Sequence, residues 1–170
     1  MNMDIKKTAN SFANFTIKRI AEIFGITVFC AGVLLLLALI TYSPEDPNFI
    51  FPENTKIKNI LGFQGSFVSD VFFQSIGVVS YFISFTLIVT GINIMRSKEF
   101  FLIIENIFFA IIYCIFGTLF FTHFYSEAFT LYINGNGGFI GAYLNQSFLN
   151  SIILINEVIF YYFLIILNFF

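Results

Sequence analysis

The stretch Tyr42-Ser43-Pro44-Glu45-Asp46-Pro47 interrupts an apolar sequence with two prolines and two acidic residues. Before it, residues 24–42 carry no charge, and after it a second uncharged run occupies residues 71–95. Proline lacks a backbone N–H and disfavours helix in the residue before it, so an apolar helix must end at this stretch. Residues 59–70, which include two glycines, lead back to the second run. Two apolar segments joined by a stiff acidic turn predict a membrane hairpin.

The composition predicts an all-α, polytopic membrane protein. Of the 170 residues, 58% are hydrophobic and 11% are charged, whereas soluble domains average about 45–50% and about 25%. A soluble protein of this size has too much surface for its volume to bury so many apolar side chains. The partner that composition implies is therefore the lipid bilayer. The eight basic residues are scattered, which argues against direct nucleic-acid binding by this chain.

Four transmembrane helices are predicted, since a span needs about 20 apolar residues. The first three cover about residues 21–42, 71–95 and 100–122. Residues 1–20 are predicted to be a cytoplasmic N-terminal tail, and residues 21–170 a membrane-anchor domain. The first apolar run is longer than the roughly 7–15 residues of a signal peptide, so we expect a retained anchor.

The last span has two possible registers. One places it at about residues 148–170, with Glu157 near the middle of the bilayer. The other makes residues 139–156 an interfacial amphipathic helix and starts the span at Val158, which leaves 13 residues that continue beyond the chain. Thirteen residues reach about 20 Å, short of the roughly 30 Å hydrocarbon core.

The basic residues predict the orientation. They flank the first span and fill the turn at residues 96–99, whereas the loops at 43–67 and 123–145 hold only Lys56 and Lys58. By the positive-inside rule, the N-terminus and the 96–99 turn are cytoplasmic and the two longer loops face outward. With four spans, both termini are cytoplasmic.

An ordered set of residues resembles the four-span N-terminal membrane domain of the FtsK/SpoIIIE family of DNA translocases. That family has a Tyr-Ser-Pro-x-Asp-Pro loop after the first span, then Asn-x-x-Gly-x-x-Gly-Ala with an acidic residue following, and Gly-Gly-x-x-Gly before the last span. Ser66 replaces the usual alanine, and Asn156-Glu157 stands where glycines are common, an alignment that favours the second register. The matching residues are Tyr42, Ser43, Pro44, Asp46, Pro47, Asn59, Gly62, Gly65, Asp70, Gly77, Gly137, Gly138 and Gly141.

The resemblance implies a membrane anchor that tethers a DNA translocase at the division septum of the bacterial inner membrane. It also implies contacts with other division proteins and a homo-oligomer in the full-length protein. The chain has no Gly-x-x-x-x-Gly-Lys-Ser/Thr sequence to bind ATP phosphates, so we expect the motor to be absent from it. On this interpretation the chain is not an enzyme and needs no cofactor.

Two other functions remain open. One is a stand-alone membrane scaffold without a motor. The other is a small transporter or channel subunit, for which the candidate intramembrane polar residues are Glu105 and Glu157. A carboxylate at mid-bilayer costs roughly 2.5–3.5 kcal/mol, so such residues usually line a pathway. That function would require several charges facing one cavity.

The remaining polar residues have simpler predicted roles. Glu45 and Asp46 offer too few ligands for calcium and are predicted to cap a turn. Asp70 is predicted to cap the second span at its N-terminal end, and His123 to lie at the interface. Residues 134–138 are predicted to form a flexible turn. Cys30 and Cys114 are predicted to be packing residues, and Ala21, Gly25 and Gly77 offer small faces for close helix contact. No metal site is predicted.

Overall fold

The computed structural model describes residues 2–47, 56–126, 134–147 and 156–169. Every regular element in these ranges is helical, which confirms the predicted all-α class. Within them, three segments are long and apolar enough to cross a membrane: Asn10–Ile40, Gly62–Ser97 and Leu102–Phe124. The helices are α1 (Asn2–Ile40), α2 (Gly62–Ile76), α3 (Ser80–Ser97), α4 (Leu102–Phe124), α5 (Gly138–Asn145) and α6 (Glu157–Phe169).

Helix α1 is longer than a membrane span. Its 39 residues extend about 58 Å, nearly twice the roughly 30 Å of a hydrocarbon core. The sequence interpretation separated residues 1–20 as a tail, but the helix passes residue 20 without a break. Residues 2–24 contain neither proline nor glycine, so nothing in the backbone stops the helix. Residues 10–20 are exposed on all sides, and this part of α1 therefore projects beyond the packed bundle.

Helices α1 and α3 pack against each other, antiparallel, through glycines. A Cβ atom on Gly91 would lie 2.5 Å from the backbone nitrogen of Phe29, and one on Gly32 would lie 2.8 Å from the backbone nitrogen of Ile88. A Cβ on Gly25 would lie 2.9 Å from the Gly91 carbonyl oxygen. Small residues let membrane helices approach closely, so that dispersion contacts hold them together. The small face that includes Gly25 is thus used inside the chain.

Ion pairs mark one end of the bundle. The Glu22 carboxylate lies 2.5 Å from Arg19 Nη1 and 2.8 Å from Lys98 Nζ, which ties α1 to the turn between α3 and α4. The end that carries Lys18, Arg19, Arg96 and Lys98 is called the basic end below. The opposite end, which carries residues 41–47, 56–61, 125–126 and 134–137, is called the loop end.

The second apolar segment is bent. A short 3₁₀ turn, Gly77–Val79, separates α2 from α3, whereas the sequence predicted one span at 71–95 after a loop that ended at Phe67. The predicted loop is therefore wrong for residues 62–67, which are helical. Where α2 crosses α1 and α3, Leu35, Leu39 and Phe73 form a buried cluster.

Helix α6 begins at Glu157. Asn156 lies just outside it, and its Oδ1 accepts a hydrogen bond from the Ile159 N–H at 3.3 Å, as an N-cap residue does. The first register predicted one unbroken helix from residue 148 through Glu157. The break at Asn156 interrupts that predicted helix; residues 148–155 lie outside the described ranges. Glu157 lies 4.0 Å from His123 Nε2, and one turn further along α6 the Tyr161 ring packs on Phe124 and Phe120 at 5.1 and 5.5 Å between centroids. Because contacts further along α6 reach an earlier turn of α4, the start of α6 runs antiparallel to the end of α4.

Candidate functional site at the loop end

Asp46 closes the first loop. Its side chain is 5% exposed, and its two oxygens accept hydrogen bonds from the backbone N–H groups of Lys58 and Asn59, both at 2.8 Å. Both carboxylate oxygens are thus engaged by the protein's own amides. The geometry is that of a loop closure, and it leaves Asp46 poorly placed to bind a cation.

Asn59 joins this loop to the end of α1. Its Nδ2 donates to the Ala38 carbonyl at 2.9 Å, and its Oδ1 accepts from the Leu61 N–H at 3.1 Å. The last carbonyls of a helix have no partner within the helix, so Asn59 satisfies one of them. A Cβ on Gly65 would lie 2.1 Å from Asn59 Oδ1. Only glycine at position 65 leaves room for this side chain.

The start of α2 is held to the proline-rich stretch. Gly62 has a φ of +67°, and its N–H donates to the Asn59 carbonyl at 2.9 Å. Ser66 Oγ donates to the Pro47 carbonyl at 2.9 Å. Ser66 is 1% exposed, so the serine that departs from the family's alanine makes a buried hydrogen bond.

Asp70 lies inside α2 and is not its N-terminal cap, because the helix starts two turns earlier than predicted. The carboxylate is 8% exposed. It accepts hydrogen bonds from Tyr42 Oη at 3.2 Å and Gln74 Nε2 at 3.5 Å. The Tyr42 ring also packs on Phe73, with 4.8 Å between centroids. Tyr42 and Asp70 therefore lock α2 onto the end of α1.

Asn136 performs a similar closure in the second loop. It is 1% exposed, its Nδ2 donates to the Tyr125 carbonyl, and its own carbonyl accepts the Val78 N–H at 2.9 Å. A Cβ on Gly77 would lie 1.9 Å from that carbonyl oxygen. The segment predicted to be a flexible turn is thus a specific contact that fills the break between α2 and α3.

Three glycines let α5 pack closely against its neighbours. Gly138 has a φ of +64° and lies against the backbone of residues 75–77. Gly137 and Gly141 lie against α4, where added Cβ atoms would come within 2.0 and 2.2 Å of Thr122 Oγ1. Asn134 Nδ2 adds a hydrogen bond to Gln74 Oε1 at 3.0 Å. The two loops and the short helices α2 and α5 therefore form one interlocked layer.

Sequence reasoning missed Ser66, Gln74, Asn134 and Asn136 as members of this layer. Asn134 and Asn136 each precede a glycine, a pair that marks turns, but the sequence does not indicate which carbonyl each amide reaches. The Ser66–Pro47 and Asn134–Gln74 hydrogen bonds likewise join residues far apart in the chain.

Glu45 and Lys58 form an exposed ion pair across the first loop. The hydrogen bond from Lys58 holds the pKa of Glu45 below 4.5, and the hydrogen bond to Glu45 holds the pKa of Lys58 above 10.5. The pair is charged throughout the neutral range, and solvent screens it.

The two candidate intramembrane acids lie far apart. Glu105 is exposed in the first turn of α4, near the basic end. Glu157 is exposed at the start of α6, 4.0 Å from His123 Nε2 near the end of α4. The 18 residues of α4 between positions 105 and 123 correspond to about 27 Å. The two carboxylates therefore share no cavity.

Between α3 and α4 lies an apolar cavity of 430 Å³. Two hydrogen bonds cross it: one of 3.0 Å between the Thr86 and Tyr113 hydroxyls, and one of 2.7 Å from Asn106 Nδ2 to Thr90 Oγ1. These bonds pair the polar groups in its wall. Among the described residues, no cluster of three or more His, Cys, Asp or Glu side chains could hold a metal ion.

Comparison with known families gives a match over most of the chain. The family model for the 4TM region of DNA translocase FtsK/SpoIIIE matches residues 17–170, which is most of the chain. No solved structure matches it.

Curated relatives agree with the family match. The chain is 35% identical over 79 residues to DNA translocase FtsK of Caulobacter vibrioides, which covers 46% of the chain. It is 24% identical over 98 residues to that of Rhizobium meliloti, covering 58% of the chain, and 28% identical over 87 residues to that of Azospirillum brasilense, covering 50%. The aligned segments span 10%, 11% and 14% of those relatives.

Proposed function

Since the chain belongs to the family of 4TM regions of DNA translocases FtsK and SpoIIIE, we propose that it tethers a DNA motor to the inner membrane at the division septum. Family membership and the apolar helices make it a bacterial membrane protein and the membrane-anchor region of an FtsK-like translocase. The septal position, the motor, its action on DNA and the partners in division are the proposed part. The anchor itself works without catalysis.

Four spans with both termini in the cytoplasm give this anchor its orientation. The basic end carries Lys18, Arg19, Arg96 and Lys98, and by the positive-inside rule it faces the cytoplasm. Helix α6 starts near the loop end and runs antiparallel to α4, toward the basic end. This direction supports the proposal that a motor attached after α6 lies on the side of the membrane where DNA is.

The observation that carries the proposal is the interlocked layer at the loop end. The buried amides of Asn59 and Asn136 donate to carbonyls at the ends of α1 and α4, and the glycines around them let the loops and helices pack closely. Such a layer holds the helices in fixed positions, as a tether under load requires. A transporter would instead need charged groups around a shared cavity, and Glu105 and Glu157 lie at opposite ends of α4.

We would test the proposal in dividing cells that express the chain fused to a fluorescent protein. An anchor is expected to form a band at mid-cell, and the double variant Glu105→Gln/Glu157→Gln should form the same band, because neither carboxylate takes part in tethering. As a matched control, an unrelated four-span protein fused to the same reporter should label the membrane evenly. Even labelling by the chain itself would overturn septal tethering.

A further inference from the structure

The two loops are followed by the same short sequence. Helix α2 starts with Gly62-Phe63-Gln64-Gly65-Ser66-Phe67-Val68, and helix α5 starts with Gly138-Phe139-Ile140-Gly141-Ala142-Tyr143-Leu144. Both follow the pattern Gly, Phe, any residue, Gly, small, aromatic, aliphatic.

The geometry repeats as well. The first glycine has φ +67° in one copy and +64° in the other, and its N–H donates to the carbonyl three residues earlier, at 2.9 and 3.1 Å. A buried asparagine precedes this glycine by three residues in the first copy (Asn59) and by two in the second (Asn136). Asn59 donates to the carbonyl of Ala38 at the end of α1, and Asn136 to that of Tyr125 at the end of α4. Two equivalent units therefore stand side by side at the loop end.

Each unit carries a stacked aromatic pair with at least one ring on its outer face, and of the four rings only that of Phe67 is half-buried. The Phe63 and Phe67 rings stack with 6.5 Å between centroids and 23° between planes, and the Phe139 and Tyr143 rings stack with 6.4 Å and 22°. Phe63, Phe139 and Tyr143 are 49%, 63% and 66% exposed. The glycine face of each helix is buried, so the aromatic face is the side that meets the surroundings.

The surface around these aromatic rings is uncharged. The exposed side chains of α2 and α5, among them Gln64, Val71 and Ile140, carry no charge, unlike the polar face expected of a helix in water. Beside them, the last turns of α1 expose Leu37 and Ile40. Both helices lie where membrane helices end, which is the depth at which aromatic residues collect in membrane proteins.

We propose that the two aromatic pairs bind lipid: they lie among the headgroups and upper acyl chains of the leaflet at the loop end. They hold the loop end at a fixed depth in the bilayer. This anchoring does not depend on a motor or on the septum.

The chain contains no tryptophan, so one introduced tryptophan reports its own position. We would place Phe63→Trp and Phe139→Trp separately in phosphatidylcholine vesicles that carry a spin-labelled quencher either near the headgroup or near the end of the acyl chain. Iodide would be added as a quencher in water. Two further variants are controls: Phe109→Trp, 59% exposed within α4, and Phe12→Trp, 73% exposed on the projecting part of α1.

Both loop-end variants are expected to lose more fluorescence to the shallow lipid quencher than to the deep one. Phe109→Trp should lose more to the deep quencher, and Phe12→Trp should lose most to iodide. Quenching of either loop-end variant by iodide alone would show a helix in water, and protection from all three quenchers would show cover by protein. Each of these results would overturn the proposal. If Phe63→Trp lowers the unfolding temperature, Phe67→Trp would be used in its place, and Tyr143→Trp would likewise stand in for Phe139→Trp. Both are expected to lose more fluorescence to the shallow lipid quencher than to the deep one.

Discussion

Asn59 and Asn136 show what single side chains contribute to this fold. Each amide reaches the carbonyl at the end of a membrane helix, where a buried, unpaired carbonyl would cost about 1–3 kcal/mol. The neighbouring glycines are needed because a Cβ would occupy the space of the amide or of the backbone. Asn59, Asn136 and the glycines at 65, 77 and 137 therefore contribute to the fold through hydrogen bonding and close packing.

Gly77 and Gly62 form a matched pair for testing this. Both have positive φ, but a Cβ on Gly77 would lie 1.9 Å from the Asn136 carbonyl oxygen, whereas a Cβ on Gly62 would meet nothing within 4 Å. Gly62→Ala is expected to cost about 1–2 kcal/mol from backbone strain alone. Gly77→Ala should cost about a further 1–3 kcal/mol, because the second loop must also move and because alanine is more strained at the Gly77 ψ of −138° than in the left-handed region.

The measurement is the free energy of unfolding of both variants in mixed detergent micelles. Equal losses for the two substitutions would contradict the claim that Asn136 fills the break after α2.

The Glu45–Lys58 pair predicts a dependence on pH. The pKa of Glu45 is lowered in the folded chain, so its contribution to stability is present above the ordinary value of 4.5 and is lost as the pH falls through the lowered value. Glu45→Gln should therefore lower the unfolding temperature slightly at pH 7 and not at all in strong acid. The contribution of Lys58 is lost only as the pH rises through its raised pKa. A difference between native chain and variant that persists in strong acid would exclude this pair as its cause.

At the scale of elements, the contact between α1 and α3 depends on Gly91. A Cβ there would lie 2.5 Å from the Phe29 nitrogen, so Gly91→Ala should separate the helices and cost about 1–3 kcal/mol. Cys30→Val is a matched control, because Cys30 is exposed on α1 and added bulk there meets no helix. Thermal unfolding in detergent checks both variants, and an unchanged midpoint for Gly91→Ala would contradict the close packing.

The sequence predicted which segments are helical better than it predicted where each helix begins and ends. Long uncharged runs predict helices in a membrane, and the glycines and prolines between them predict loops. The start of α2 was missed because Gly62 and Gly65 have low helix propensity, which the contacts with Asn59 and Pro47 override. The N-terminal part of α1 was separated from the span by its polarity, although polarity does not end a helix.

The candidate site was predictable as a set of residues but not as a structure. The family pattern named Asp46, Asn59 and the glycines, yet hydrogen bonds such as that from Asn136 to Tyr125 depend on how the two loops meet in space. The position of Glu157 stayed ambiguous because apolar residues flank it on both sides. The N-cap at Asn156 settles where the final helix begins, and a hydropathy pattern does not register such a cap.

At the scale of the whole molecule, most basic residues lie at the end opposite the loops that carry the family-motif residues. Lys18, Arg19, Arg96 and Lys98 lie at one end. The interlocked loops, whose only basic residues are Lys56 and Lys58, lie at the other, with apolar helices between the two ends. This separation makes the two ends of the anchor different. One end carries the basic residues that the positive-inside rule expects in the cytoplasm, and the other is closed by buried hydrogen bonds. We propose that the anchor is oriented with its loop end outside the cytoplasm.

Cysteine labelling in intact cells tests that claim most directly. In a chain with Cys30→Ser and Cys114→Ser, we would introduce Ser126→Cys at the loop end or Ser97→Cys at the basic end, both at exposed positions, and add a maleimide that cannot cross the inner membrane. We expect Ser126→Cys to be labelled in intact cells and Ser97→Cys only after the inner membrane is permeabilised. Labelling of Ser97→Cys in intact cells, with Ser126→Cys protected, would contradict the orientation and with it the proposed position of the motor.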